Sequence, residues 1–253
     1  MSSLPDLEAL QARRDLSLGT DGPVPDVLQR LEQDGGVNVV VARLPEGGPA
    51  GAYTVERDVP FIHVNSSEPV VRQRFTLAHE FGHHRLQHGD ALDERVWWGA
   101  TDPKEVAANQ FAAEFLVPVA AVNLWFQARS PEAVDLETLV RLAGAFGVSC
   151  ETALWRLVAA RRLDQRSADR IKKRLDAHEH WGLRTRMGLS EMTDTLSSVQ
   201  HLGVRVPARM TDDVIKALDF GIIARDLAAR RLRVSVTELD AIATRRKRAD
   251  QDE

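Results

Sequence analysis

FTLAHEFGHH, residues 75–84, carries the pattern H-E-x-x-H at His79, Glu80, Phe81, Gly82 and His83. Two histidines four apart share one face of a helix, about 6 Å apart along its axis. Both can aim a ring nitrogen at one Zn2+. Glu80 lies roughly 100° round the helix from His79. It is poorly placed to ligate beside them. Its carboxylate can instead reach a water on the metal and take its proton as that water attacks a carbonyl. The plain alternative is two polar residues on a helix face. His84 and His88 make a rival pair, but no glutamate follows the first of them. His84 reads as a supporting or surface residue, and His88 as a candidate cleft residue.

A catalytic zinc takes three protein ligands and keeps one position open, so two histidines are too few. The third is sought in KEVAANQFAAEFLVP, residues 104–118, where Glu105 and Glu114 are the candidates. Glu105 shares a face with Ala108, Asn109, Ala112 and Leu116 at helical spacing. Those small side chains allow the close approach of two helices that a third ligand requires. Glu114 falls on another face and reads as a solvated carboxylate. For Glu105 the alternative is an acidic residue favoured by the dipole at a helix start.

Upstream, VNVVVARL (37–44) is rich in β-branched residues and reads as a strand. AYTVERD and PFIHVN (60–65) read as two more, joined near Asp58, with PFIHVN as an edge strand to which an extended peptide can add. Pro25 opens a helix that Gly35 and Gly36 stop. Residues 1–22 are polar with a short helix-like pattern at Leu4, Leu7 and Leu10. The motif helix is expected over 68–88. A loop holding Trp97, Trp98 and Gly99 follows, and the next helix starts at Thr101–Asp102–Pro103 and runs to Pro118. A short helix over 118–129 ends at Ser130–Pro131, and the rest is helical.

Charged residues make up 28% of the 253 and the net charge is −4, so the chain as a whole lacks the basic footprint of a dedicated DNA-binding protein. A single cysteine, Cys150, rules out an internal disulfide and favours a reducing compartment. The first twenty residues have no apolar core of the signal-peptide kind, and no run of about 18 apolar residues occurs. A cytoplasmic, non-membrane protein is expected.

RQRFTLAHEFGHHRLQH (72–88) followed by EVAANQFAAEFLVP (105–118), with the strands before them, resembles the ImmA/IrrE metallopeptidases over roughly residues 25–165. The resemblance implies His79, His83 and Glu105 as zinc ligands and Glu80 as the catalytic glutamate. Members often carry a second acidic residue two places after the third ligand, where this chain has Ala107. It further implies a bacterial regulatory endopeptidase whose protein substrate is a DNA-binding repressor of the helix-turn-helix type. Cleavage would throw a stress or mobile-element switch.

The fold class that follows is α+β: a minimal zincin-like metallopeptidase domain with a short antiparallel sheet, then an all-helical C-terminal region. The division expected is an N-terminal extension over 1–24, the metallopeptidase domain over 25–130, a helix-turn-helix-like region over 131–180 and a helical C-terminal region over 181–253. In LETLVRLAGAFGVSCETALWRLVAARRL (136–163), Gly147 sits at the turn and Leu139, Leu142, Ala143, Phe146 and Val148 would form a small core. Ser149, Cys150, Glu151 and Thr152 are a poor start for a recognition helix, because Glu151 would be repelled by phosphate. Packing on the peptidase core is the favoured reading there, and Cys150 is structural rather than reactive. Residues 156–186 hold ten Lys or Arg against four Asp or Glu, a face for nucleic acid, an acidic partner or solvent. VIKALDFGIIARDLAARRL (214–232) is amphipathic and suits a core or a partner surface; the tail RRKRADQDE (245–253) is expected to be solvated. Two rival functions stand beside proteolysis: a DNA-binding transcriptional regulator with a vestigial or structural zinc site, and an antitoxin-like interaction module. The intact Glu80 argues against a purely structural site.

Overall fold

A computed structural model describes residues 3–44, 48–89, 91–93, 101–129, 134–188 and 205–249. The loop with Trp97, Trp98 and Gly99 and the last four residues of the tail lie outside them. Helix α1 (Leu4–Asp15) comes first, followed by α2 (Val27–Gln33), then strands β1 (Asn38–Ala42), β2 (Gly51–Glu56) and β3 (Val59–Asn65). The motif helix α3 (Val70–Arg85) and the short strand β4 (Ala91–Asp93) precede α4 (Pro103–Leu116) and α5 (Val119–Arg129). The rest is helical: α6 (Leu136–Phe146), α7 (Cys150–Ala159), α8 (Gln165–Asp176), α9 (Glu179–Arg186), α10 (Ala208–Asp219), α11 (Arg225–Leu232) and α12 (Val236–Ala249). This is the α+β class expected.

The sheet corrects two expectations. Its order is β1-β3-β2-β4, and it is mixed rather than wholly antiparallel, because β1 and β3 run parallel. The reason lies in the β2–β3 turn. Arg57 and Asp58 both adopt the left-handed conformation (φ 51° and 66°), as a two-residue hairpin turn requires. That turn folds β3 back between β1 and β2. β2 starts at the end of the sheet where β1 finished, since Gly51 pairs with Val64 and Ala42 with Asn65. β3 must then run with β1. PFIHVN is therefore central, not an edge. The outer side of β1 meets the backbone of Arg205, with N···O separations of 3.0 and 2.9 Å across the Val41–Arg205 bridge. Among the described residues β4 is the other edge.

One large core joins the sheet to α1–α8. α1, from a segment that reads as polar, buries Ala9, Ala12 and Arg13 and packs on α4. A Ser3–Asp6 capping box fixes its start. Arg13 donates to the carbonyls of Gly19, Gly22 (2.7 Å) and Phe115 (2.5 Å), tying the chain after α1 to the end of α4. Pro103–Arg129 is long and apolar enough to cross a membrane, yet 67% of its most apolar window is buried, as in a core helix. Gly147 adopts the left-handed conformation at the end of α6 (φ 62°), and Ser149 caps α7. Cys150 and Thr152 are buried, so the first turn of α7 faces the core. The 214–232 stretch is two helices, because Gly221 turns left-handed (φ 69°) between α10 and α11. With α12 they enclose a second, smaller core of Val214, Ile215, Ala228, Ala229, Leu232 and Leu239.

Candidate metal centre

α3 and α4 are brought close by small residues. A Cβ added at Gly82 would come within 3.0 Å of the Phe111 ring and 3.3 Å of Ala108 Cα, so the glycine inside H-E-F-G-H is where α4 crosses. α4 begins where Asp102 caps it, accepting from the backbone N–H of Lys104 at 2.7 Å and of Glu105 at 3.4 Å, with Pro103 in the first turn. That start sets Glu105 opposite the two motif histidines.

The three groups converge. His79 Nε2 and His83 Nε2 are 3.1 Å apart. Glu105 Oε2 is 3.1 Å from His79 Nε2, and Oε1 is 3.3 Å from His83 Nε2. Zinc–ligand bonds of about 2.0–2.2 Å in a tetrahedron put ligand atoms about 3.3–3.6 Å apart, so these residues need only open by a few tenths of an ångström to hold Zn2+ and suit it in donor type. Both histidines are fully buried and Glu105 is about one-quarter exposed, which leaves an open side. Burial and the neighbouring His79 push the His83 imidazole down to about 4, and the hydrogen bond from His79 holds the Glu105 carboxyl below its ordinary range. Neutral imidazole and ionised carboxylate are the forms that ligate.

The surrounding residues orient these groups. His79 Nδ1 is 3.0 Å from Asn109 Oδ1. An amide oxygen only accepts, so Nδ1 carries a proton, and Nε2 is the nitrogen that would ligate a metal in place of its hydrogen bond to Glu105. His88 Nδ1 is 3.1 Å from His83 Nδ1, and Lys104 Nζ donates to the His88 carbonyl at 2.9 Å. His88 thus sits at the cluster and touches His83. His84 points elsewhere, 2.9 Å from the Tyr53 hydroxyl and stacked on Phe81. Glu80 is fully buried between α3 and the sheet. A Cβ on Gly51, at the start of β2, would collide with Thr76 and come within 2.9 Å of Glu80 Oε1, so only glycine lets the sheet approach this carboxylate.

Glu114 corrects an expectation. It is buried, not solvated, and pairs with the buried Arg156 of α7, which also donates to the Val117 carbonyl at 2.7 Å. Burial raises the Glu114 carboxyl above its ordinary value despite that partner. Asn109 and Gly51 are the site residues whose roles the sequence left unread. The signal for Asn109 was a lone amide among small residues on the ligand face. Gly51 left none, since its constraint comes from a helix distant in sequence.

The profile of the Peptidase_M78 family, described as the IrrE N-terminal-like domain, matches residues 32–158, half of the chain. The chain belongs to the Peptidase_M78 family. The matched span includes the whole His79–His83–Glu105 cluster, and it bears out the resemblance drawn from the two motifs. No curated protein matches the sequence. Among solved structures, the chain is similar to a Mycobacterium tuberculosis transcriptional regulator at 18% identity, with a TM-score of 0.41. The similarity covers 60% of this chain and 46% of that one.

Proposed function

We propose that this Peptidase_M78 chain is a zinc-dependent endopeptidase of the cytoplasm that cleaves a DNA-binding repressor of the helix-turn-helix type, as part of a stress or mobile-element switch. The observation that carries this reading is the approach of His79 and His83 on α3 and Glu105 on α4 to 3.1–3.3 Å of one another, with Glu80 buried on the same helix as the two histidines. His79, His83 and Glu105 would hold Zn2+. When bound, the ion polarises a peptide carbonyl and makes a water easier to deprotonate. Glu80 accepts the proton of the attacking water and returns it to the leaving amine. Asn109 and His88 keep the two imidazoles turned inward. An extended substrate adds to the outer edge of β4, which lies one strand from Gly51 and so beside Glu80.

The test incubates the zinc-loaded chain with a helix-turn-helix repressor encoded beside its gene and reads fragments by intact mass. Zinc-dependent cleavage at one bond, abolished by a chelator and restored by Zn2+, is expected. A repressor that binds the chain and stays whole would favour the interaction-module reading instead. The buried first turn of α7 gives the DNA-binding alternative little surface to work with.

A further inference from the structure

A cavity of about 430 Å³ lies behind the metal centre, and Asn109, the partner of His79, forms part of its wall. Its other walls come from the N-terminal half of α3, the start of α7, the end of α8, and α9. On α3, Phe75 is one turn before His79 and Arg72 about two turns before it, roughly 6 and 10 Å along the axis. A residue next to a scissile bond at the metal, extended by about 3.3 Å per position, can reach that depth with its side chain.

The lining mixes apolar side chains with polar and charged ones, among them Glu151 and Asp176, and one of its cations is unmatched. Leu175 of α8 is buried, and Trp181 of α9 is 59% exposed and stacks on His178 with ring centroids 4.2 Å apart. Lys172 is already taken, 2.5 Å from Asp176 and 3.6 Å from Glu151. Arg72 is different. Its Nε is buried with no hydrogen-bond partner among the described residues, as is Nδ1 of His180. Arg72 enters no ion pair among those residues either. A half-buried guanidinium in the wall of this pocket, with its Nε unused, is complementary to a carboxylate on an aliphatic stem. In a larger cavity, about 590 Å³ between α2 and α10, Glu32 and Arg205 are paired at 2.5 Å and the other guanidinium, Arg209, is exposed to solvent rather than buried.

From this we infer that the pocket is a substrate subsite that selects an acidic side chain, glutamate above all, within two residues of the scissile bond. Arg72 is its specificity residue and Trp181 its outer wall. The inference rests on the peptidase reading and deepens it. Arg72 lies inside the family match, whereas α8 and α9, which supply Leu175 and the outer wall at Trp181, lie beyond its end at residue 158.

The test uses the full zinc-loaded chain and a series of peptide hydroxamates that differ only in carrying Glu, Gln, Leu or Lys beside the zinc-binding group. Affinities are measured by calorimetry, so no turnover is needed. Glu is expected to bind about tenfold or more tighter than Lys, as one charge-assisted hydrogen bond allows. Arg72→Gln should flatten the series and Arg72→Glu should reverse it, with zinc content unchanged. Trp181→Ala, at an exposed position that tolerates truncation, should weaken all four ligands and keep their order. Equal affinities for Glu and Lys in the wild-type chain, with binding still zinc-dependent, overturn the subsite and leave the peptidase reading standing. Absence of zinc-dependent binding by every hydroxamate overturns both.

Discussion

The α3–α4 pair and the α6–α7 pair belong to the same core and bury opposite things. Every residue of α3 from Gln73 to His83 is buried, and six of those eleven are Gln73, Arg74, Thr76, His79, Glu80 and His83. α6 buries Leu136, Leu139, Val140, Leu142, Ala143 and Phe146 on one side and keeps Glu137 and Arg141 in solvent, paired at 2.7 Å. A helix that buries ionisable groups all round loses stability by desolvation and gains reactivity. A one-sided apolar helix does the reverse. The family site is therefore held in place by neighbours that do no chemistry, and substitutions in the two pairs should separate activity from stability.

Glu80→Gln should show the separation at its widest. Glutamine keeps the shape of glutamate but cannot take a proton from water, so cleavage of the repressor should fall by about 10²–10⁴. Zinc content and the urea midpoint should stay near wild type. Full derepression in cells carrying Glu80→Gln would break the comparison, because α3 would then be polar for no catalytic reason. Metal binding comes next. The His79→Ala, His83→Ala double variant and Glu105→Ala should each lose the single zinc by elemental analysis. Metal retained in the double variant would sink the centre.

Leu142→Ala tests the other pair. Leu142 is fully buried, and its truncation should cost about 2–5 kcal/mol in denaturant unfolding while zinc stoichiometry holds. Glu114→Ala sharpens the contrast, since it removes a carboxylate from the same helix as Glu105. It should cost about 3 kcal/mol by leaving Arg156 buried without its ion partner, again with no loss of zinc. Loss of metal in Glu114→Ala with retention in Glu105→Ala would reverse the ligand assignment. The smallest effect is chemical. Burial raises the Cys150 thiol to about 11, so a thiol reagent at pH 8 should label it only after unfolding. Rapid labelling of the native chain would mean that the start of α7 is open.

The sequence was most legible where spacing on one helix does the work. His79 and His83 are four apart, and the starts of α4 and α7 carry Asp102 and Ser149 as caps. It was least legible where a partner is remote. The fate of Glu114 depends on Arg156, 42 positions later. The central place of β3 depends on which strand the hairpin inserts beside. α1 reads as polar because its burial is carried by two alanines and an arginine, which no hydropathy pattern marks. The break in 214–232 turns on Gly221, whose conformation decides between one helix and two.

Arg74 sets how much chain the motif helix needs. Its guanidinium donates to the carbonyls of Val24 at 2.7 Å, Gly147 at 3.0 Å and Phe146 at 3.5 Å, and burial lowers it to about 10. A chain cut at residue 130 would keep His79, His83 and Glu105 yet leave this cation in the interior without its Phe146 and Gly147 acceptors. A fragment that keeps these acceptors therefore begins before Val24 and ends after Gly147. The turn that looks like part of a DNA-binding motif is, in assembly terms, the last stitch that closes the Peptidase_M78 fold.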